Sequence, residues 1–513
     1  MARPTPEKLA LLRKMLKERG VQERVAASSI PRRASEGDAR LSNGQARLWF
    51  LDQFEPGSSL YNDALALTIR GIELDPELFQ RAFTEVVRRH EVLRTTFHPG
   101  PDGPLQRVHP LESARPGHEL PFRILDLRGQ ADAQEALDGM LLEDVQAPFE
   151  MDRLPLLRAL LARLEDDVWV FGLAMHHIIS DGVSYAVVYE EIGALYRAYL
   201  AERDSPLLDP PIQFADYAEW ERAQVDEDRI QEMLPFWKRY LGGDLPAIKW
   251  PARAVAPKNR GAYHRFRFPE ALYTSLQNFC RDQQLTSNWV LMTAYLAMLH
   301  TLGGQEDVRI GTPSSIRKHA ELEKLIGFFV QTVLLRVDLS GNPSFRDVLD
   351  RTRETALEVS KYEDVPFDRV VQAVRPKRDP NAVPLIQAWI APMKDLMPVM
   401  ELPGATTSYQ IVDGKIARFD IALILDEARG GVEAFFEYDT DLWDASMVAQ
   451  LADLYMRILR QGVEHPETTL ELFRETHPAP EPPRDKPAKR KGPKALKGLT
   501  KRRPRVAREG GDA

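Results

Sequence analysis

A mixed α/β fold in two large lobes is what this sequence predicts, and three observations carry the prediction. The chain has 513 residues, too many for one ordinary hydrophobic core. Short apolar runs of period two, the pattern of strands, interleave along it with longer runs of helical period. The apolar share of 43% and the charged share of 28% are those of a globular chain in water.

The elements follow in order. Thr5 caps and Pro6 opens a short amphipathic helix, with Leu9, Leu12 and Leu16 on one face and Gly20 at its end. This stretch, within residues 1–26, reads as a loosely packed terminal helix or as a docking helix for a partner protein. Residues 27–40 are polar and read as a linker. The body begins near Leu41 with a helical segment containing Trp49, Phe50 and Leu51. The alternation from Asp63 to Ile69 predicts a strand, Glu77 to His90 a helix, and Asp167 to His176 a second strand. A helix from Val183 to Tyr199 follows. Ala201 to Pro211 reads as an exposed crossing that divides an N-terminal lobe (41–210) from a C-terminal lobe (211–476). In the latter, Asn288 to Leu302 is an apolar helix, and Val308 to Gly311 and Val333 to Val337 are strands. Phe419 to Leu425 and Val432 to Tyr438 form a strand pair, and Ala445 to Gln461 is a closing amphipathic helix. Residues 477–513 read as a disordered basic tail.

Charge and cysteine usage exclude several classes. The net charge is −8, but residues 481–513 hold twelve basic and four acidic residues. The tail is therefore +8 and the rest of the chain −16, which is not the footprint of a nucleic-acid-binding domain. The tail reads as a solubilising segment or as a docking device for acidic partners. No apolar run is long enough to span a bilayer, and no signal-peptide pattern opens the chain. Cys280 is the only cysteine, so there is no disulfide framework and no thiolate metal site. Its helical spacing with Leu272, Leu276 and Phe279 points to a plain core or boundary role rather than a reactive one. A cytoplasmic location fits these features.

The segment His176-His177-Ile178-Ile179-Ser180-Asp181-Gly182 carries the chemistry. Histidine is the side chain best suited to moving protons near neutral pH. In the strand before it, Gly172, Ala174 and His176 share one face; Trp169, Phe171, Leu173 and Met175 share the other with His177. A strand regular to its end therefore gives the two histidines different jobs. Asp181 falls at a helix start, where a carboxylate is favoured. A lone histidine on an apolar face is usually a satisfied core residue. A metal site lacks further ligands at usual spacing.

Six segments in order resemble the motifs of non-ribosomal peptide synthetase condensation domains, which belong to the chloramphenicol acetyltransferase-like superfamily. They are Ser42–Leu51, Arg89-His90-Glu91-Val92-Leu93-Arg94-Thr95-Thr96-Phe97, the histidine segment itself, Phe214–Trp220, Ile326–Thr332 and Asp364-Val365-Pro366-Phe367. The resemblance covers about Leu41 to Gln461. It departs at Val183, where the family often has tryptophan, and at Gln331, where it usually has asparagine. In Arg378–Leu385 the last motif keeps its frame but loses its second arginine and its asparagine.

The resemblance implies an α+β sandwich of two chloramphenicol-acetyltransferase-like lobes in a V, with a central tunnel open at both faces. It implies an enzyme that joins two acyl groups presented as phosphopantetheine thioesters by peptidyl or acyl carrier proteins, with no cofactor of its own. His177 is the implied catalytic histidine and His176 its structural neighbour. Gly182 would offer a backbone N–H to the oxyanion. Asp181 would hold the loop through a buried ion pair, with Arg317 as first partner and Arg89 or Arg94 as alternatives. Ser184, Gln331 and Val383 are candidate tunnel neighbours. No carrier-protein serine site or adenylation segment is evident, so the chain reads as a free-standing condensation protein. Two other functions share the pattern: ester or amide formation with a free alcohol or amine, and a non-catalytic module that recruits carrier-linked enzymes.

Overall fold

The computed structural model describes residues 30–35, 37–110, 122–224, 227–243, 245–248, 260–375, 385–394, 400–428 and 430–477. The N-terminal helix expected within residues 1–26 and the tail from residue 478 lie outside them.

The N-terminal half forms α1 (Asn43–Phe54), β1 (Asn62–Arg70), α2 (Pro76–Arg89), β2 (Phe122–Asp126), α3 (Ala133–Gln146), β3 (Leu157–Glu165), β4 (Val168–His176), α4 (Gly182–Leu200) and α5 (Phe214–Gln224). The C-terminal half contributes β5 (Gly261–Arg267), α6 (Ser287–Gly303), β6 (Asp307–Ser315), β7 (Val330–Asp338), β8 (Ala388–Lys394), β9 (Thr406–Ile411), β10 (Ile421–Ala428), β11 (Gly431–Asp439) and α7 (Ala445–Glu464), with further helices at Glu227–Tyr240, Glu270–Asp282 and Phe345–Val359. Among the described residues two large sheets carry the lobes, in strand orders β9–β1–β4–β3–β2 and β7–β6–β8–β10–β11–β5.

The alternation read in β4 decides how the first sheet is covered. Trp169, Phe171, Leu173 and Met175 join the core built with α2 and α4, while Val170 and Ala174 face the smaller clusters under α3. Phe171 is fully buried and meets Phe79 edge-on at 5.1 Å and Tyr189 at 5.4 Å. Burying such a side chain stabilises the fold by roughly 1.5–3 kcal/mol. Gly172 lets α3 approach: a Cβ there would stand 2.4 Å from a Leu141 methyl. Helix α2 is cut sharply at its start. Asp75 accepts from the N–H groups of Glu77 and Leu78, and Pro76 supplies a fixed φ at the first helical position. In the second lobe α6 is apolar all round and is accordingly buried between its sheet and α7. Cys280 lies in this core, where burial and the nearby Glu427 push its thiol up to about 11.

Two boundaries differ from the expectation. Residues 30–35 and 37–40, the described part of the expected linker 27–40, are not free. Ile30 is buried, Arg32 Nε donates to the Pro211 carbonyl at 2.9 Å, and Arg40 Nε donates to Glu219 at 2.8 Å. Arginines that looked like solvated linker residues are ion-pair and hydrogen-bond partners of the segment that runs into α5. Nor does the core divide at residue 210. Strand β9 crosses back to pair antiparallel with β1, Thr406 opposite Arg70 and Ile411 opposite Leu65. Phe214, Tyr217, Phe328, Phe329 and Leu402 all belong to the first lobe's core.

Candidate functional site at the end of β4

Strand β4 ends at His176, which lies opposite Asn62 in β1, while Met175 lies opposite Asp63. The chain then makes a single 3-10 turn, His177–Ile179, and enters α4 at Gly182. This short turn separates the two histidines. His176 is buried, accepts at Nδ1 from the Ile178 N–H at 3.0 Å, and meets Phe149 edge-on. Burial, with the charge of His177 beside it, lowers its pKa to about 3, so it is a neutral structural residue at neutral pH.

His177 is only partly buried and lies 5.5 Å from the Phe328 ring. Its Nδ1 is 3.0 Å from the Ser180 carbonyl oxygen and its Nε2 is 2.8 Å from Asp63 Oδ2. A carbonyl and a carboxylate can only accept, so this arrangement is filled by a ring that donates from both nitrogens. Asp63 is itself held by Arg418, which also donates from Nε to the Leu60 carbonyl at 3.0 Å. Behind Arg418 stands Glu437, whose Oε1 accepts from the Arg418 backbone N–H at 2.8 Å and whose Oε2 accepts from Tyr263. Burial pushes the Asp63 carboxyl up, but Arg418 and His177 outweigh it and hold the group well below the usual carboxylate range. Burial disfavours the Arg418 charge, and Asp63 and Glu437 more than restore it. For Glu437 burial prevails, and its carboxyl is pushed above its ordinary value.

Asp181 caps α4, accepting from the Ser184 N–H at 2.8 Å while Ser184 Oγ accepts from the Asp181 N–H at 3.1 Å. Its partner across the lobes is Arg317: one guanidinium nitrogen lies 2.8 and 2.9 Å from the two carboxylate oxygens, and both side chains are almost fully buried. The other terminal nitrogen of Arg317 donates to the carbonyls of Leu322 and Leu325, and the guanidinium lies over the Phe329 ring at 4.2 Å. Asp181 Oδ2 also accepts from the Phe329 N–H at 3.2 Å. Arg89 and Arg94, the alternatives named above, are engaged elsewhere. Arg89 forks onto Glu191 at 3.0 and 3.1 Å, and Arg94 donates to the His109 carbonyl. Neither lies on the turn that Asp181 closes.

The remaining candidates fall in varied places. Gly182 is the first residue of α4, where helix geometry leaves N–H groups without internal acceptors. Ser184 is fully buried and spans the lobes, accepting from the Gly327 N–H at 3.1 Å; it serves the cap rather than an open surface. Gln331 donates its amide to the backbone carbonyls of Glu363 and Val365, which ties β7 to the loop beyond the helix Phe345–Val359. Val383 lies outside the described residues. Sequence reading missed Asp63, Arg418 and Glu437. The available signal was an acid at the head of an otherwise apolar alternating strand. Gly44 was noticed only as part of a motif: a Cβ there would stand 2.8 Å from the Phe328 ring beside His177.

No group of three His, Cys, Asp or Glu side chains suited to a metal ion occurs among the described residues. No described helix is long and apolar enough to cross a membrane.

A histidine turn joining the middle strand of one five-stranded sheet to a helix capped by a cross-lobe ion pair defines a condensation-type member of the chloramphenicol acetyltransferase-like fold class. The chain belongs to the condensation domain family, whose model matches residues 35–477. It is 36% identical over 431 residues to chondramide synthase of Chondromyces crocatus, covering 83% of this chain and 11% of the synthase. It is 35% identical over 448 residues to phosphinothricin tripeptide synthetase PhsC of Streptomyces viridochromogenes, covering 85% of this chain and 40% of that one. The chain thus spans well under half the length of these curated relatives. Among solved structures it resembles the X-domain from teicoplanin biosynthesis, with a TM-score of 0.74, 26% identity, and coverage of 86% of this chain and 99% of that one. It also shares its fold with the first condensation domain of the calcium-dependent antibiotic synthetase in complex with a substrate analogue, with a TM-score of 0.72 at 19% identity, covering 85% and 98%.

Proposed function

We propose that this chain is a condensation-type acyltransferase that joins a carrier-bound acyl or aminoacyl thioester to an amine acceptor in non-ribosomal peptide or hybrid natural-product assembly. The acceptor amine attacks the donor carbonyl carbon, the C–N bond forms, the C–S bond breaks, and the donor arm leaves as its thiol. The phosphopantetheine arms are parts of the substrates and arrive on carrier proteins. The chain's own task is to hold both arms end to end, which turns a bimolecular step into a local one, and to manage the proton and charge of the attack. His177 serves the proton and charge balance of the reacting centre, and the Gly182 N–H faces the developing oxyanion. His176, Asp181 and Arg317 keep the turn in place.

The observation that carries this reading is the contrast between the two histidines. His176 is buried and neutral, while His177 presents a part-exposed ring beside a cluster of ionised groups from both lobes. The test mixes purified chain with carrier proteins loaded with a panel of aminoacyl phosphopantetheine thioesters and follows condensed product by mass spectrometry. His177→Ala should remove product while leaving the unfolding curve and carrier binding unchanged. Full turnover by that variant refutes the assignment.

A binding module without turnover is the second reading, favoured by the likeness at 26% identity to an X-domain solved in complex with OxyB. Binding of loaded carriers with no product from the wild-type chain across the panel is the outcome that selects it.

A further inference from the structure

His177 does not stand alone at the end of β4. Its Nε2 is 2.8 Å from Asp63 on the neighbouring strand β1, and Asp63 is gripped by Arg418, which enters from the other lobe just ahead of β10. Other ionisable groups close to this pair are His176, which is neutral, Glu437 and Tyr263 behind Arg418, and Tyr185, whose hydroxyl donates to the Asp63 backbone carbonyl at 2.8 Å. The Ser180 carbonyl fixes the ring's other nitrogen. A small cavity lies alongside, lined by Asn62, Asp63, Tyr263, Arg418 and Glu437. The buried Oδ1 of Asn62 has no hydrogen-bond partner among the described residues.

We propose that Asp63 is a positioning residue of the reaction centre: held by Arg418 across the lobe boundary, it fixes the orientation of the His177 ring and keeps Nε2 a hydrogen-bond donor. This inference rests on His177 being the reacting histidine. It assigns the ring a definite part in the step. With Nδ1–H held by the Ser180 carbonyl and Nε2–H by Asp63, His177 offers positive charge rather than a free N–H to the tetrahedral oxyanion or the departing sulfur. It does not strip the amine of its proton while Asp63 is bound. Nε2–H is freed for the reacting groups only when the contact with Asp63 opens, and Arg418 makes that opening depend on how the lobes meet.

Asp63→Asn removes the charge at nearly constant volume. Because it strands Arg418, the double variant Asp63→Asn/Arg418→Gln serves beside it, with two neutral amides in place of the ion pair. In the carrier-loaded assay both variants should lose about tenfold or more in kcat, as when a histidine loses the carboxylate that orients it. The acceptor KM should change by less than about twofold, since the substrate-binding surfaces are untouched. Asp63→Glu should recover part of the loss. A second readout needs no turnover. In 15N-histidine-labelled full chain, with the His177 signals identified by their loss in His177→Ala, wild-type Nε2 should carry a hydrogen at neutral pH and the double variant's should not.

Wild-type kcat in the folded double variant overturns the proposal, as does an unprotonated Nε2 in the wild type. If His177→Ala itself keeps full turnover, the functional reading fails instead. If His177→Ala is inactive while the Asp63 variants match wild type, only the present inference fails.

Discussion

Replacing Asp181 should weaken the fold before it touches the chemistry. The carboxylate accepts from Arg317, from the Ser184 N–H and from the Phe329 N–H, and the ion pair is almost fully buried, with side-chain exposures of 2% and 6%. In Asp181→Ala the Arg317 charge is left in the interior without its counterion, which costs about 3–5 kcal/mol. The lost helix cap adds about 1 kcal/mol, and the buried Phe329 N–H adds about 1–3 kcal/mol if nothing replaces its acceptor. These effects share one residue and do not sum, so about 4–6 kcal/mol is the working figure. Asp181→Asn keeps an oxygen for the cap and loses the charge, and should cost about 3–5 kcal/mol. Adding Arg317→Met to Asp181→Asn should return part of that cost, because the stranded cation is gone. Urea unfolding, followed by tryptophan fluorescence and far-ultraviolet circular dichroism, measures all of these. Turnover should track the folded fraction. An Asp181→Ala protein with an unchanged urea midpoint but no product would refute this account and move Asp181 into the chemistry.

Two further predictions follow from the same neighbourhood. His176 has an unperturbed pKa of 6.5 and a folded value of about 3; the unfolded chain therefore binds its proton first, and stability present above pH 6.5 drains away as the pH falls toward 3. Between pH 7 and pH 5 this amounts to about 2 kcal/mol, and His176→Phe should flatten that part of the stability–pH curve. Gly44→Ala gains about 1 kcal/mol of helix propensity, but its Cβ would press on the Phe328 ring at 2.8 Å and should cost about 1–3 kcal/mol in overpacking. Calorimetry that finds the alanine protein more stable than wild type would show that Phe328 moves aside freely.

Much of this was legible in the sequence because it is local. The period-two pattern from Val168 to His176 gave the strand, its two faces and the different fates of the histidines. Asp181 before Gly182 announced the helix start, and Arg317 was the first partner named for it on resemblance alone. What sequence did not disclose depends on register and on residues that meet only after folding. Asp63 looked like the polar entrance to an apolar strand, because nothing in β1 says that its neighbour will be β4 in a register that brings it to His177. Arg418 lies more than 350 positions further on. Arg32, Arg33 and Arg40 read as a solvated linker because the Pro210 and Pro211 carbonyls that hold Arg32, and the acidic partners of Arg33 and Arg40 on α5 and at Glu91, are invisible from composition. Ser184 read as a polar tunnel neighbour, and burial beneath the lobe contact made it a cap instead.

Strand β9 has a consequence for how the protein comes into being. Strand β1, which carries Asp63, borders β4 on one side and β9 on the other. During synthesis every other strand of that sheet emerges within the first 176 residues, yet the outer flank of β1 stays open until residues 406–411 leave the ribosome. For that interval the nascent chain exposes an apolar, unpaired edge of the kind that recruits other strands. Fragments ending before Ile411 should aggregate, and a β9 peptide supplied in trans should rescue them. The order in which this chain is made leaves its reaction centre open to misassembly until late in translation.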